Sequence, residues 1–241
     1  MDIFVHKFIS VTPRKILGKN CSEITFAGTN IKIPFLNREE NSTLDSKFSI
    51  NIKNIKSEID SVKKTSRTII IRNGEPCLQS LALKSLAEHI KQQGFFLALE
   101  TYGTRPSIIR HMIENKLIDI IILKLYFPLI EPWIRKANKE NLVSNHKELI
   151  KNIKETISII KTSNINVRVN TIIVPSFIYR IGDIKKIARE IKDIRNCTYE
   201  LIAFEPPNAE KEFIKIKKPT EEFMQELRDA VKKEYPMLNV K

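Results

Sequence analysis

Two carboxylates stand where this chain could do chemistry. Glu75 lies in the turn Asn73-Gly74-Glu75-Pro76, and Glu100 lies in the stretch Leu99-Glu100-Thr101-Tyr102-Gly103-Thr104. Each follows a short β-type run, so both fall at the carboxyl ends of strands, where ligands gather in parallel α/β folds. A glycine at such a point lets backbone come close to a ligand. The pair could act as acid and base, or as two structural groups that hold their turns; the structural role is the plainer one. The other reactive groups are scattered. Cys21, Cys77 and Cys197 form no C-x-x-C pair, which argues against a zinc module and a disulfide framework. His6, His89, His111 and His146 show no metal-ligand spacing. No nucleophile elbow, H-E-x-x-H, phosphate loop or Gly-rich dinucleotide fingerprint is present.

The elements that must carry these residues alternate. Residues 22–27, 68–71, 95–99, 118–125, 167–174 and 199–204 read as strands, the fourth as an almost unbroken apolar run suited to a strand covered on both faces. Between them lie helical stripes. Ile52, Ile55, Ile59 and Val62 form one. Leu78, Leu81, Ala82, Leu86 and Ile90 form another, stopped by Gly94. Residues 106–114 begin with Pro, a good first helical residue. Leu149, Ile150, Ile153, Ile157 and Ile160 mark a fourth stripe. Ile184, Ile187, Ala188, Ile191 and Ile194 mark a fifth, with Asp183 as its expected cap. Thr220 caps a last helix whose first turn holds Glu221 and Glu222, where the helix dipole favours acids. Six strand–helix alternations predict a single α/β domain over residues 1–241 with a mostly parallel sheet. An open, partial β/α barrel and a doubly wound sheet both fit that pattern. Residues 1–20 read as an N-terminal extension.

Three segments, with their flanks, resemble the radical SAM superfamily, in particular the activating enzymes of glycyl-radical and anaerobic-reductase systems. They are Thr29-Asn30-Ile31-Lys32-Ile33-Pro34-Phe35-Leu36, the Gly74-Glu75-Pro76 turn and the Glu100-Thr101-Tyr102-Gly103-Thr104 turn. The resemblance spans residues 18–240 and implies a partial (β/α)6 barrel. In that family the first segment is a C-x3-C-x2-C loop holding a [4Fe–4S] cluster, and the G-G-E-P turn meets the methionine end of S-adenosylmethionine. Here the cysteine positions are Thr29, Ile33 and Leu36, inside a former cluster loop at residues 29–45. Gly74, Glu75, Pro76, Glu100 and Thr101 would be vestigial cofactor contacts. Tyr102 stands where the family has Asn, Lys124 where it has Asp, Tyr126 where it has Lys, and Asn170 where it has Arg. Three thiolates must hold such a cluster, and Thr, Ile and Leu supply none. The resemblance therefore implies a pseudoenzyme with no Fe–S cofactor, no metal and no radical chemistry.

Charge points to a partner. Lys and Arg number 41 against 28 Asp and Glu, a formal net charge of +13. A field of that size favours polyanions, chiefly nucleic acid. A Lys- and Ile-rich genome, as in a thermophilic or archaeal-like source, would also produce it. Lys32, Arg38, Arg72, Arg105, Trp133, Arg135, Lys136, Lys139, Arg180, Lys211, Lys215, Lys217 and Lys218 all fall near the strand carboxyl ends. There cations would meet phosphates, and aromatics such as Trp133, Tyr126 and Phe127 would stack on unpaired bases. The expectation is an RNA-binding protein, the ribosome being the most abundant target. A non-catalytic partner of a radical enzyme and a cluster-free S-adenosylmethionine binder are the alternatives. With no signal peptide and no ~20-residue apolar span, a cytoplasmic location without membrane contact is expected.

Overall fold

The computed structural model of the chain describes residues 1–16, 18–37, 42–137, 145–206 and 213–241. The strands are β1 (Asp2–Ile16), β2 (Lys19–Phe26), β3 (Ser49–Asn51), β4 (Thr68–Arg72), β5 (Phe96–Thr101), β6 (Ile120–Lys124), β7 (Asn166–Ile173), β8 (Cys197–Ala203) and β9 (Asn239–Val240). They form one sheet in the order β3-β1-β2-β4-β5-β6-β7-β8-β9. From β2 to β9 every pairing is parallel, and β1 joins β2 and β3 antiparallel. The parallel strands follow chain order without reversal. A doubly wound sheet reverses at a switch point, so the order selects the open, barrel-like winding.

The helices are α1 (Ile52–Ser61), α2 (Ser80–Gln92), α3 (Pro106–Glu114), α4 (Glu131–Ala137), α5 (His146–Thr162), α6 (Ile181–Ile191) and α7 (Glu221–Glu234). The main core joins them to the outward strand residues Ile69, Ile71, Leu97, Leu99, Ile121 and Leu123. The alternate residues Ile70, Ala98, Ile120 and Ile122 form a smaller apolar layer on the inner face, with Ile16 and Cys21. This period-2 division makes the central strands apolar on both sides.

Three local readings change. Residues 2–16, read as an extension, are a long strand paired to β2, with bulge-type register shifts on the way. Pro13 and the bulges blunt that outer edge against pairing with other chains. Leu81 is 74% exposed, because Ala82, Leu83, Leu86, Ala87 and Ile90 set the buried face of α2. Asp183 is not a cap. Arg180 occupies the N-cap of α6, and Asp183 sits in its first turn, 3.1 Å from Lys186. Thr220 does cap α7, accepting from the Phe223 amide.

Candidate functional site

The carboxyl ends of β4, β5 and β6 converge on Glu75. Its side chain is fully buried. It accepts from the Thr101 hydroxyl at 2.8 and 2.9 Å, the Tyr102 amide at 2.9 Å and the Cys77 amide at 3.1 Å. Thr101 in turn accepts from the Gly103 amide, and the Gly103 carbonyl accepts from Thr156 on α5 at 2.7 Å. Glu75 is thus the hub of a network of the chain's own donors, as a buried carboxylate requires. Gly74 is just as constrained. Its φ is +49°, and a Cβ there would lie 2.2 Å from the Gly28 carbonyl oxygen, the same oxygen that accepts from the Glu75 amide at 2.8 Å. Gln79 completes the tie, bridging Phe4 of β1 and Ala27 just beyond β2.

Next to this hub, the unusual residues meet. Lys124 is buried. Its ammonium donates to the Gly74 carbonyl at 2.8 Å, lies 3.8 Å from Glu100 Oε1 and sits 3.8 Å over the Tyr102 ring. A cation–π face and a carboxylate offset the desolvation of that charge. Tyr102 packs edge-on against Tyr126 at 6.0 Å between centroids, and Tyr126 reaches Phe35 at 5.9 Å. Phe35 continues to Phe177 and Phe213 at 5.4 and 6.1 Å. Along the chain Tyr102 belongs to one segment, and Lys124 and Tyr126 belong to another about twenty residues later; the fold makes them neighbours.

The loop before Phe35 is packed. Ile31, Ile33, Phe35 and Leu36 all belong to the main core. The Thr29 hydroxyl closes its own turn, accepting from the Ile31 amide and donating to the Ile31 carbonyl. Asn30 binds Thr104 of the β5 turn at 3.0 Å. None of these side chains is a thiolate. The three cysteines do not converge either: Cys21 lies in the inner apolar layer and Cys77 and Cys197 in the outer core. Burial pushes the Cys77 thiol well up and Cys197 to about 12, so both hold their protons at neutral pH. Among the described residues no group of His, Cys, Asp and Glu is placed to hold a metal ion. The side chains present therefore do not fit a [4Fe–4S] cluster.

The inner face holds a polar ladder. Arg72 lies 3.1 Å from Glu23 and 3.5 Å from Glu100, and Arg168 lies 3.3 Å from Glu200. Above it opens a cleft of about 540 Å3 lined by residues that include Lys7, Leu36, Arg72, Glu100, Asn170 and Ile202.

No family model matches the sequence. A protein of Methanocaldococcus jannaschii, provisionally named a glycyl-radical enzyme activating enzyme, is 31% identical over 220 residues, covering 89% of this chain and 86% of the relative. The chain belongs to the radical SAM superfamily. Its fold agrees. A radical SAM methyltransferase from Sphaerobacter thermophilus superposes with a TM-score of 0.71 at 12% identity over 94% of this chain and 67% of its own. A domain of pyruvate-formate lyase-activating enzyme from Bacteroides vulgatus superposes at 0.53 and 14% identity, over 71% and 96%.

Within this radical SAM frame, the sites expected for RNA separate into groups. Arg105, Arg135, Lys136, Arg180, Lys215, Lys217 and Lys218 are exposed, and Lys32 is half-buried. Lys218 and Arg135 each hold an acid, Glu205 and Glu131. Arg72 turns inward, because two buried glutamates flank it. Trp133 is half-buried and stands edge-on to Phe177 at 5.9 Å, with Lys136 over its ring. Tyr126 and Phe127 are buried, so neither presents a face to a base. Arg38, Lys139 and Lys211 lie outside the described residues. Sequence reasoning missed Gln79 and Phe35; the Gln after the G-E-P turn was the available signal for the first.

No helix among the described residues is long and apolar enough to cross a membrane.

Proposed function

We propose that this chain is a non-catalytic radical SAM-fold protein that binds RNA or a ribonucleoprotein, the ribosome foremost. One observation carries the loss of catalysis: Ile33 and Leu36, at two of the three cluster positions, are part of the hydrophobic core. The pseudoenzyme needs no Fe–S cofactor, and its hub glutamate is already occupied by its own chain. The partner follows from the net charge of +13 and from the exposed cations that follow β5, β6, β7 and β8. Lysines and arginines at such positions pair with phosphates whatever the sequence.

The expected behaviour is electrostatic. With about five phosphate contacts, affinity for single-stranded RNA falls roughly tenfold for each doubling of salt. In a lysate the protein sediments with ribosomal particles at low salt and moves to the light fractions at high salt. Recovery in the light fractions at low salt would overturn the proposal.

The relative's name supports a second reading, a regulatory partner of a radical enzyme. A pull-down enriched in an iron–sulfur protein and lacking rRNA would select it.

A further inference from the structure

We infer that the cleft on the inner face accepts one unpaired base of a bound RNA strand; this rests on the RNA reading above and specifies how the strand is held. The cleft has two unlike walls. On one side Ile172 of β7 stands directly opposite Ile202 of β8, beside Phe204. Ile202 is 37% exposed, an apolar surface left open inside a polar cleft. On the other side lie Arg72 and Glu100. Between the walls sits Asn170, only 7% exposed, whose side-chain oxygen Oδ1 is buried and has no hydrogen-bond partner among the described residues.

A buried acceptor without a donor is costly. A ligand that brings an N–H to Asn170 and a flat apolar face to Ile172 and Ile202 removes that cost and covers the open apolar wall. A nucleobase has both, an amino or imino edge and an uncharged face. A phosphate has neither. The polar wall does not favour an anion, because Arg72 is held between Glu23 and Glu100. The phosphates therefore stay at the rim, where Lys7 is exposed, while the base enters. At about 540 Å3 the cleft is within the range of small-ligand sites.

The test uses the full chain and fluorescence anisotropy with three probes of equal phosphate number: a single-stranded RNA 12-mer, the same strand with abasic residues, and an RNA duplex. The intact strand is expected to bind about tenfold more tightly than the abasic strand and the duplex, the size of one base–side-chain contact. Asn170→Leu, which keeps the size and removes the acceptor, and Ile202→Glu, which charges the apolar wall at a partly exposed position, are each expected to bring the intact strand to the level of the abasic one. Equal binding of intact and abasic strands would overturn the inference and leave the RNA reading standing. Binding of none of the three at low salt would overturn both.

Discussion

Replacing Glu75 by Ala lowers stability by about 3–5 kcal/mol, the sum expected when two buried amides and a hydroxyl lose their shared acceptor. The amides are those of Cys77 and Tyr102, and the hydroxyl is that of Thr101. The substitution also leaves a cavity where a fully buried side chain stood. Glu75→Gln is milder, about half as costly, because one oxygen still accepts while the new amide group opposes donors. Urea unfolding checks this: the midpoint falls and the slope stays constant. A Glu75→Ala protein as stable as the parent would mean that the carboxylate serves a ligand and not the fold.

Replacing Gly74 by Ala has a comparable effect, about 2–4 kcal/mol. Two costs add. The residue has φ of +49°, where an L side chain is strained. The new Cβ would also meet the Gly28 carbonyl oxygen at 2.2 Å. That oxygen belongs to backbone and is fixed by the Glu75 amide, so relief requires moving two strand ends apart. Thermal denaturation reads the loss. A glycine elsewhere in the chain gives the control: among the described residues nothing lies within 4 Å of a Cβ at Gly182, in the first turn of α6, so Gly182→Ala leaves the transition within about 0.5 kcal/mol. Equal effects at the two positions would contradict the close-approach argument. Both results bear on the same point, that the turn resembling a cofactor-binding motif is now held by the chain's own backbone.

The central fold was legible where local chemistry was strong. Pro106 fixed the start of α3, and β-branched runs marked β4 and β6 to within two residues. Thr220 and the acids after it marked α7. The winding was not legible, since strand order depends on contacts between distant segments; the comparison with the glycyl-radical activating enzymes pointed to it before the sheet order did. The strand β1 was not legible because Pro13 and basic residues break its alternation. At the site, the sequence displayed each departure from the family pattern singly. That Phe35, Tyr126, Tyr102 and Lys124 form one contiguous cluster follows from a loop crossing to strand ends some seventy and ninety residues later, a relation no periodicity encodes. Tyr126 and Phe127 differ from expectation for a similar reason. A Tyr or Phe after a strand reads as exposed until the loop that covers it is known.

The central claim is that side chains packed at the former cluster positions leave no place for metal chemistry. It is tested most directly by incubating the purified chain anaerobically with ferrous ion and sulfide, then adding S-adenosylmethionine and dithionite. The account predicts a colourless protein, no iron–sulfur signal by electron paramagnetic resonance and intact S-adenosylmethionine. A brown protein with a [4Fe–4S] signal that cleaves the sulfonium would contradict it.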